Sequence, residues 1–247
     1  MAEAVATLEG WWMLHDLRHV LPGLGDAERR ERQGALEEYV RAVMPSDPEH
    51  GASAYYEVMG QKGDFLQVHL RPGPDDLLTV EEAFRRSHLD EVLVPAMSYL
   101  SVVEISTYGA GDRPLPEDPL ADPYLRGRLH PEIPPARWVS FYPMDKRRLA
   151  GEGNNWYELP MAERRRLMHD HGLIGRRYAG RVKQVISGSV GLDDYEWGVT
   201  LFAANPLDFK KIVYEMRFDE VSARFAEFGP FILGRRLEIP GERSLFL

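Results

Sequence analysis

The order of predicted elements places this chain in the α+β class, as two ferredoxin-like β-α-β-β-α-β units in tandem. The pattern occurs twice, and a segment rich in Pro, Asp and Gly separates the two occurrences at 109–135. The 247 residues, 44% of them hydrophobic, suit one large domain or two fused small ones. We therefore expect units at 1–108 and 136–247 joined by a linker. Their antiparallel sheets should pack together with the helices outside, as in dimeric α/β-barrels.

In the first unit, alternating or apolar runs predict strands at 8–17, 55–59, 64–70 and 100–108. Asp26 is suited to N-cap a first helix, which Pro45 would end. The capping box Thr79-Val-Glu-Glu82 predicts the start of a second helix.

In the second unit, strands are expected at 138–143, 182–187, 195–203 and 231–235. Pro160 favours the start of a helix that would end near Gly172. Asn205-Pro206 is typical of an N-cap and first helical position, and predicts the start of the last helix.

Composition excludes several classes of protein. The chain has no cysteine, which excludes disulfides, thiolate chemistry and iron–sulfur clusters. Its net charge of −9 argues against nucleic-acid binding. No run is long and apolar enough to span a membrane, and no signal peptide is evident, so a cytoplasmic location is expected.

Basic residues are nevertheless concentrated in two stretches of this acidic chain. They are Arg126, Arg128, Arg137, Lys146, Arg147 and Arg148, followed by Arg164, Arg165, Arg166, Arg176, Arg177, Arg181 and Lys183. Such an inversion can attract an anionic ligand locally. A set of solvated helix faces would give the same pattern.

Two histidines stand close together in Met-His-Asp-His-Gly, at 169 and 171. Helical positions two apart point about 200° from each other, so the two imidazoles should not share one metal ion. Neutral imidazole is a standard ligand of haem iron, and His171, beside Gly172, is the better candidate. A histidine that complements the C-terminal dipole of its helix is the alternative.

Three polar residues on predicted strands are further candidates. Strand alternation places Gln184 on the same face as Val182 and Ile186, where a buried amide would need a partner. A bound ligand or, at an edge strand, the backbone would satisfy it. Tyr142 and Lys146, at the end of a strand, could meet at one ligand carboxylate. From the spacing alone, a core tyrosine and a solvated lysine are the preferred interpretation.

Six short segments of the second half together resemble one known family. They are Tyr142-Pro-Met-Asp-Lys-Arg-Arg148, Asn155-Trp-Tyr157, Asp170-His-Gly-Leu-Ile-Gly-Arg176, Tyr178-Ala-Gly, Asp194-Tyr-Glu-Trp-Gly-Val-Thr-Leu-Phe202 and Glu215-Met-Arg-Phe-Asp-Glu-Val-Ser-Ala-Arg224. This set is similar to the coproheme decarboxylases, the haem-making branch of the chlorite dismutase family. The similarity is dense over about 126–233, and the family's duplicated ferredoxin-like fold agrees with the repeat.

The resemblance implies a role for individual residues. His171 matches the iron ligand, Gln184 the glutamine on the opposite side of the iron, and Tyr142 the tyrosine whose radical starts decarboxylation. Lys146 matches the lysine that assists at the second propionate. The implied porphyrin contacts are Arg128, Tyr142, Pro143, Met144, Asp145, Lys146, His171, Gln184 and Ser222.

The implied reaction converts iron coproporphyrin III (coproheme), both substrate and redox centre, to haem b with hydrogen peroxide, in a chain that forms a homopentamer. Chlorite dismutases carry an arginine where this chain has Gln184, so the resemblance disfavours chlorite chemistry. A haem peroxidase or weak chlorite dismutase is the alternative within enzymes. A haem carrier or sensor without turnover is the alternative outside them.

Overall fold

The computed structural model describes residues 3–110, 116–150, 155–241 and 245–246. The first half contains four strands and two main helices in the order β-α-β-β-α-β. They are β1 (Thr7–Val20), α1 (Asp26–Val43), β2 (Ala52–Val58), β3 (Phe65–Arg71), α2 (Pro74–Arg86) and β4 (Leu93–Ser106). The predicted boundaries at 1–108 and 136–247 remain a prediction, and part of the predicted linker, 111–115, lies outside the described residues.

The second half repeats this order after a short additional helix, and gains a further helix and a short strand before its last strand. The elements are α3 (Pro123–Leu129), β5 (Trp138–Lys146), α4 (Met161–Arg176), β6 (Val182–Gly188), β7 (Trp197–Ala203), α5 (Leu207–Met216), α6 (Glu220–Phe225), β8 (Ala226–Phe228) and β9 (Ile232–Leu237). None of the helices in the described ranges is long and apolar enough to cross a bilayer.

The strands of the two halves join edge to edge. Within the described residues, the sheet order is β7-β6-β4-β1-β3-β2-β9-β5-β8, and a β5–β7 pairing closes the ring. The seams between the halves are the antiparallel pairs β4–β6 and β2–β9. Each half on its own has the strand order of a ferredoxin-like unit, so the predicted α+β fold is confirmed. The two sheets meet as one closed barrel.

Alternation along each strand divides the apolar residues between the inside and the outside of the barrel. Phe141 of β5 belongs to the inner core with Met13 and Tyr56, whereas its neighbour Tyr142 belongs to a cluster outside, beneath the helices of the second half. The outside of the first half is filled by a separate cluster that includes Leu36 and Phe84. The site described below depends on this second, outer face.

Several predicted boundaries were wrong. Strand β4 begins at Leu93 rather than near Leu100, and Gly25, not Asp26, is at the N-cap of α1. Helix α2 begins five residues before Thr79, because Pro74 occupies its first turn and the Asp76 carboxylate accepts a hydrogen bond from the Gly73 N–H at 3.0 Å. The predicted linker contains α3, where Asp122 caps the helix and Pro123 begins it. Helix α4 continues past Gly172 to Arg176.

Glycine at position 10 permits α3 to pack on the barrel. A β-carbon at Gly10 of β1 would overlap the carbonyl of Leu129, the last residue of α3. Only a residue without a side chain permits this approach. The helix that the sequence pattern missed is thus held against the first half by a close backbone contact.

Candidate functional site

A cavity of about 1440 Å³ lies on the outer face of the second half, between the sheet and helices α4 and α5. Typical ligand pockets measure roughly 300–1,000 Å³, so this space suits a large ligand. Its floor comes from alternate residues of three neighbouring strands. These residues are Tyr142, Met144, Lys146, Gln184, Ile186, Val199 and Leu201.

The cavity exists because α4 buries few side chains against the sheet. Only Arg164 and Leu167 of α4 are buried, whereas the corresponding helix of the first half, α1, buries Leu36, Tyr39 and Val40 among others. Gly172 lines the cavity, and a β-carbon there would meet no atom within 4 Å. The sequence of α4 therefore leaves open the space that α1 fills.

His171 lies on α4 and borders this cavity. Its Nδ1 is 2.8 Å from Oδ2 of Asp219. Because a carboxylate only accepts, the Nδ1–H donates, and the lone pair of the neutral ring is on Nε2. Nε2 has no hydrogen bond to any residue in the described part of the chain. Histidines that ligate metals are commonly oriented by such a carboxylate.

Asp219 is itself held firmly at the start of α6. Its Oδ1 accepts the backbone N–H of Val221 at 3.0 Å and of Ser222 at 3.2 Å, and its Oδ2 accepts the Ser222 hydroxyl at 2.8 Å. Burial acts to raise the pKa of Asp219, but the hydrogen bonds from His171 and Ser222 hold it below the ordinary value. The carboxylate therefore remains ionised beside the imidazole.

The position of His171 within α4 differs from the sequence expectation. The helix ends five residues later, at Arg176, and near this end it packs on α5: a β-carbon at Gly175 would be in ordinary contact, at 3.4 Å, with the terminal methyl of Met216. Tertiary packing thus outweighs the low helix propensity of glycine. His171 is not in the last turn, so the helix-dipole alternative no longer explains it. His169 also borders the cavity, but it is exposed and no carboxylate holds it in the described chain.

Tyr142 is a buried residue of β5 on the cavity floor. Its ring stacks on Phe231 with centroids 4.4 Å apart and packs against Phe228 at 5.6 Å. Burial raises the pKa of the Tyr142 phenol well above its ordinary value, while the charge of Arg217 opposes the shift. The phenol is therefore protonated at neutral pH, in a fixed orientation on an aromatic support.

Lys146, four residues further along β5, points into the same cavity. Its Nζ lies 4.9 Å from the centroid of the Trp156 ring, a cation–π contact. Burial lowers the pKa of Lys146 to about 8, although the negative charges of Asp219 and Glu196 oppose the shift. Near neutral pH this amine can both hold an anion and give up a proton.

The structure brings most of the candidate residues of the sequence to one cavity. Arg128 of α3, Met144, Gln184 and Ser222 line it along with the three residues above. The Gln184 side chain is exposed to this space and makes no hydrogen bond within the described chain. Pro143 and Asp145 are not in the lining, because strand alternation turns them to the other face of β5. There Asp145 accepts the Glu196 N–H at 2.7 Å.

Basic side chains surround the cavity in this acidic protein. They are Arg128, Lys146, Arg148, Arg164, Arg165, Arg166 and Arg176. Two further arginines, Arg177 and Arg181, lie outside the lining beside Glu215 and Asp208. Within the lining, Arg148 lies 3.5 Å from Glu196 and Arg166 lies 2.9 Å from Glu220. Guanidinium groups bind carboxylates with two parallel hydrogen bonds, so the rim suits a ligand with several carboxylates.

These residues fit an iron tetrapyrrole. The cavity has an apolar floor for a flat macrocycle, one oriented imidazole with a free nitrogen for the iron, and cations for carboxylate substituents. His171 of α4 would hold the iron, and Gln184 of β6 would line the same ligand space. Neither thiolate nor a second oriented imidazole is available as a ligand in the described residues.

Sequence reasoning missed Asp219 and two aromatic residues of the cavity wall. Asp219 stands directly before the helix that begins at Glu220, and aspartate is one of the residue types preferred at the N-cap. Trp156 and Tyr108, at 6.1 Å between ring centroids, come from different halves of the chain. No local pattern links these last two, because only the barrel brings them together.

The fold and cavity define a class of protein: fused ferredoxin-like units that form one barrel, with a histidine-bearing cavity over the second unit. A family model described as chlorite dismutase matches residues 29–237, and the chain therefore belongs to the chlorite dismutase family. A haem-binding protein from Thermus thermophilus is similar, with 45% sequence identity and a TM-score of 0.86, over 97% of this chain and 96% of that one.

More distant solved structures share the fold. A putative chlorite dismutase has 18% identity and a TM-score of 0.74, covering 94% of this chain and 96% of its own. A double variant of the chlorite dismutase from Candidatus Nitrospira defluvii has 20% identity and a TM-score of 0.74, over 95% and 94%.

Proposed function

We propose that this chain binds coproheme with His171 as the iron ligand, and that it converts two propionates to vinyl groups with hydrogen peroxide to yield haem b. One observation carries the proposal. The carboxylate-bound imidazole faces a large cavity whose floor presents a buried phenol and a buried amine four residues apart. The similarity to a protein described as haem-binding supports the ligand class.

The reaction sets requirements for each residue. Per propionate, R–CH₂–CH₂–COO⁻, H₂O₂ and H⁺ become R–CH=CH₂, CO₂ and two H₂O. When bound, the iron would react with hydrogen peroxide, and that reaction would withdraw electrons from the site. Asp219 would keep His171 in the tautomer and orientation that present Nε2 to the iron.

Tyr142 would transfer one oxidising equivalent to the propionate. Its phenol must then release a proton together with an electron, since burial disfavours a charged side chain. The ring stack with Phe231 keeps the phenol oxygen in one place. Water is kept away from a reactive tyrosine because Tyr142 is only 6% exposed.

Lys146 would hold the second propionate and exchange a proton with it. Burial destabilises the charged form of the Lys146 amine. A propionate carboxylate beside the amine would offset this cost by pairing with it. The rim arginines would hold the remaining propionates. A ligand with four carboxylates explains this basic rim better than haem b, which has two.

The decisive experiment is mass spectrometry of the porphyrin after coproheme and then peroxide are added. We expect the loss of two carbon dioxide molecules and four hydrogens. In Tyr142→Phe, coproheme binding should persist while product formation stops. Tyr214→Phe is the matched control, because this tyrosine is 62% exposed on α5. Equal product yield in Tyr142→Phe would contradict the role of the phenol.

The alternative functions predict different results. Rapid oxygen release on adding chlorite to the haem-loaded protein would favour chlorite dismutase chemistry over decarboxylation. A carrier or sensor would bind coproheme and leave it unchanged by peroxide. A cytoplasmic location and a homopentamer complete the proposal, and size measurement in solution tests the latter.

A further inference from the structure

A carboxylate of the first half reaches the cavity of the second half. Glu104 of β4 lines the cavity, and its Oε1 accepts the indole N–H of Trp197 on β7 at 2.8 Å. Glu104 reaches this position across the β4–β6 seam, where Val102 pairs with Gly188. A β-carbon at Gly188 would overlap the Glu104 carboxylate. The glycine therefore provides the space that the carboxylate occupies.

A second carboxylate connects Glu104 with solvent. Glu9 of β1 is directly opposite Glu104 in the β1–β4 register, is exposed, and also borders the cavity. Burial raises the pKa of Glu104; the Trp197 hydrogen bond opposes this rise, and the negative charge of Glu9 adds to it. From β6, the neighbouring position is the uncharged Gly188. Side chains directly opposite in an antiparallel pair lie close together on one face, so the two carboxyl groups are neighbours between bulk water and the cavity wall.

Decarboxylation consumes protons inside this cavity. By the stoichiometry above, each propionate that becomes a vinyl group takes up one H⁺. Tyr142 and Lys146 can move a proton within the site, but both are buried and must be resupplied from solvent.

We propose that Glu9 and Glu104 form the route by which protons from solvent reach the cavity, with Glu104 as the donor at the cavity wall. A proton taken up by the exposed Glu9 passes to Glu104, by direct contact or through water. Glu104 then releases it to the cavity, and the carboxylate returns to the hydrogen bond with Trp197. No bond to carbon changes and no electron moves in this relay. It rests on the proposed function, because only a reaction that consumes protons needs the route.

Glu104→Gln tests proton transfer by residue 104 without removing its hydrogen bond to Trp197. The amide oxygen can still accept the Trp197 N–H, but the side chain no longer titrates. Trp197→Phe does the reverse, because it removes the hydrogen bond and keeps the carboxylate. Glu82→Gln, at an exposed pair with Arg86 on α2, is the matched control.

The first readout needs no porphyrin. Indole fluorescence of the wild-type protein, titrated from pH 4 to pH 8, should show an inflection above the ordinary glutamate range. The inflection should disappear in both Glu104→Gln and Trp197→Phe, and persist in Glu82→Gln. A wild-type titration without it would overturn the proposed role of Glu104.

The second readout is a single turnover of coproheme at several pH values. Glu104→Gln should lower the rate about tenfold or more near pH 7, with a smaller defect at lower pH, because general acid groups typically contribute about 10²–10⁴-fold and acidic solvent can replace a donor. Coproheme affinity should be unchanged. Trp197→Phe should retain the wild-type pH profile.

An unchanged rate in Glu104→Gln, or an equal defect in Trp197→Phe, would overturn the relay. A wild-type protein that makes no haem b would instead refute the proposed function. The porphyrin-free titration would still decide whether Glu104 titrates at the cavity wall.

Discussion

Replacing Asp219 by Asn tests the structure of the iron site most directly. The amide oxygen of Asn can retain the Oδ1 contacts with the backbone N–H groups of Val221 and Ser222, so α6 should keep its cap. At the Oδ2 position the amide presents an N–H₂ group. This group cannot accept the Nδ1–H of His171, so the ring must rotate or change tautomer.

The structure sets the size of the effect. The hydrogen bond from His171 Nδ1 to Asp219 Oδ2 is 2.8 Å long, and the Asp219 side chain is only 4% exposed. A hydrogen bond to a charged group of this kind contributes about 1.5–3 kcal/mol. Loss of an outer carboxylate behind a metal-bound histidine typically weakens metal affinity about 10–100-fold, which agrees with that range. We therefore expect coproheme affinity to fall about 10–100-fold in Asp219→Asn.

Absorbance titration with coproheme measures the affinity, and denaturant unfolding measures stability. Asp170→Asn is the control: this residue precedes His171 but only forms an exposed contact with Arg166 at 3.5 Å, so affinity should change little. Unchanged affinity in Asp219→Asn, with the fold intact, would refute the assignment of His171 as an oriented iron ligand.

Three further predictions concern stability. Lys146→Met should raise the free energy of unfolding at pH 7 by up to about 3 kcal/mol. This amount corresponds to the fall in the lysine pKa from 10.5 to about 8. Denaturant unfolding that shows a less stable variant would contradict the prediction. Burial lowers the pKa of both His15 and His69 from 6.5 to about 3. Below pH 6.5 the unfolded chain therefore binds more protons than the folded protein, and the free energy of unfolding decreases as the pH is lowered. Between about pH 6 and pH 4 each histidine should cost about 1.4 kcal/mol per pH unit, and His15→Asn should remove its share of this slope. Gly10→Ala should destabilise by about 1–3 kcal/mol, because the new methyl group overlaps the Leu129 carbonyl; an unchanged melting temperature would contradict this.

The class of fold was readable from the sequence because each strand and helix has its own periodicity. The sequence left open whether Lys146 is solvated, and the predicted strand ended at Pro143; in the structure β5 extends to Lys146, which is buried and lines the cavity together with Tyr142. Helix ends were less predictable. Gly172 is a stop signal by propensity, yet α4 continues to Arg176, because glycine inside a helix costs only about 1 kcal/mol and the tertiary context can outweigh it.

Closure of the barrel and the contents of the cavity were decided only by the tertiary structure. Seam pairs such as Val102 with Gly188 join residues far apart in the chain, and they place Glu104 beside Trp197 without any local signal. The bond between His171 and Asp219 likewise spans 48 residues. Local sequence determines periodicity and caps, because these depend on neighbours within a few residues. Which side chains meet in a cavity depends on how separate elements pack, and that is a property of the whole fold.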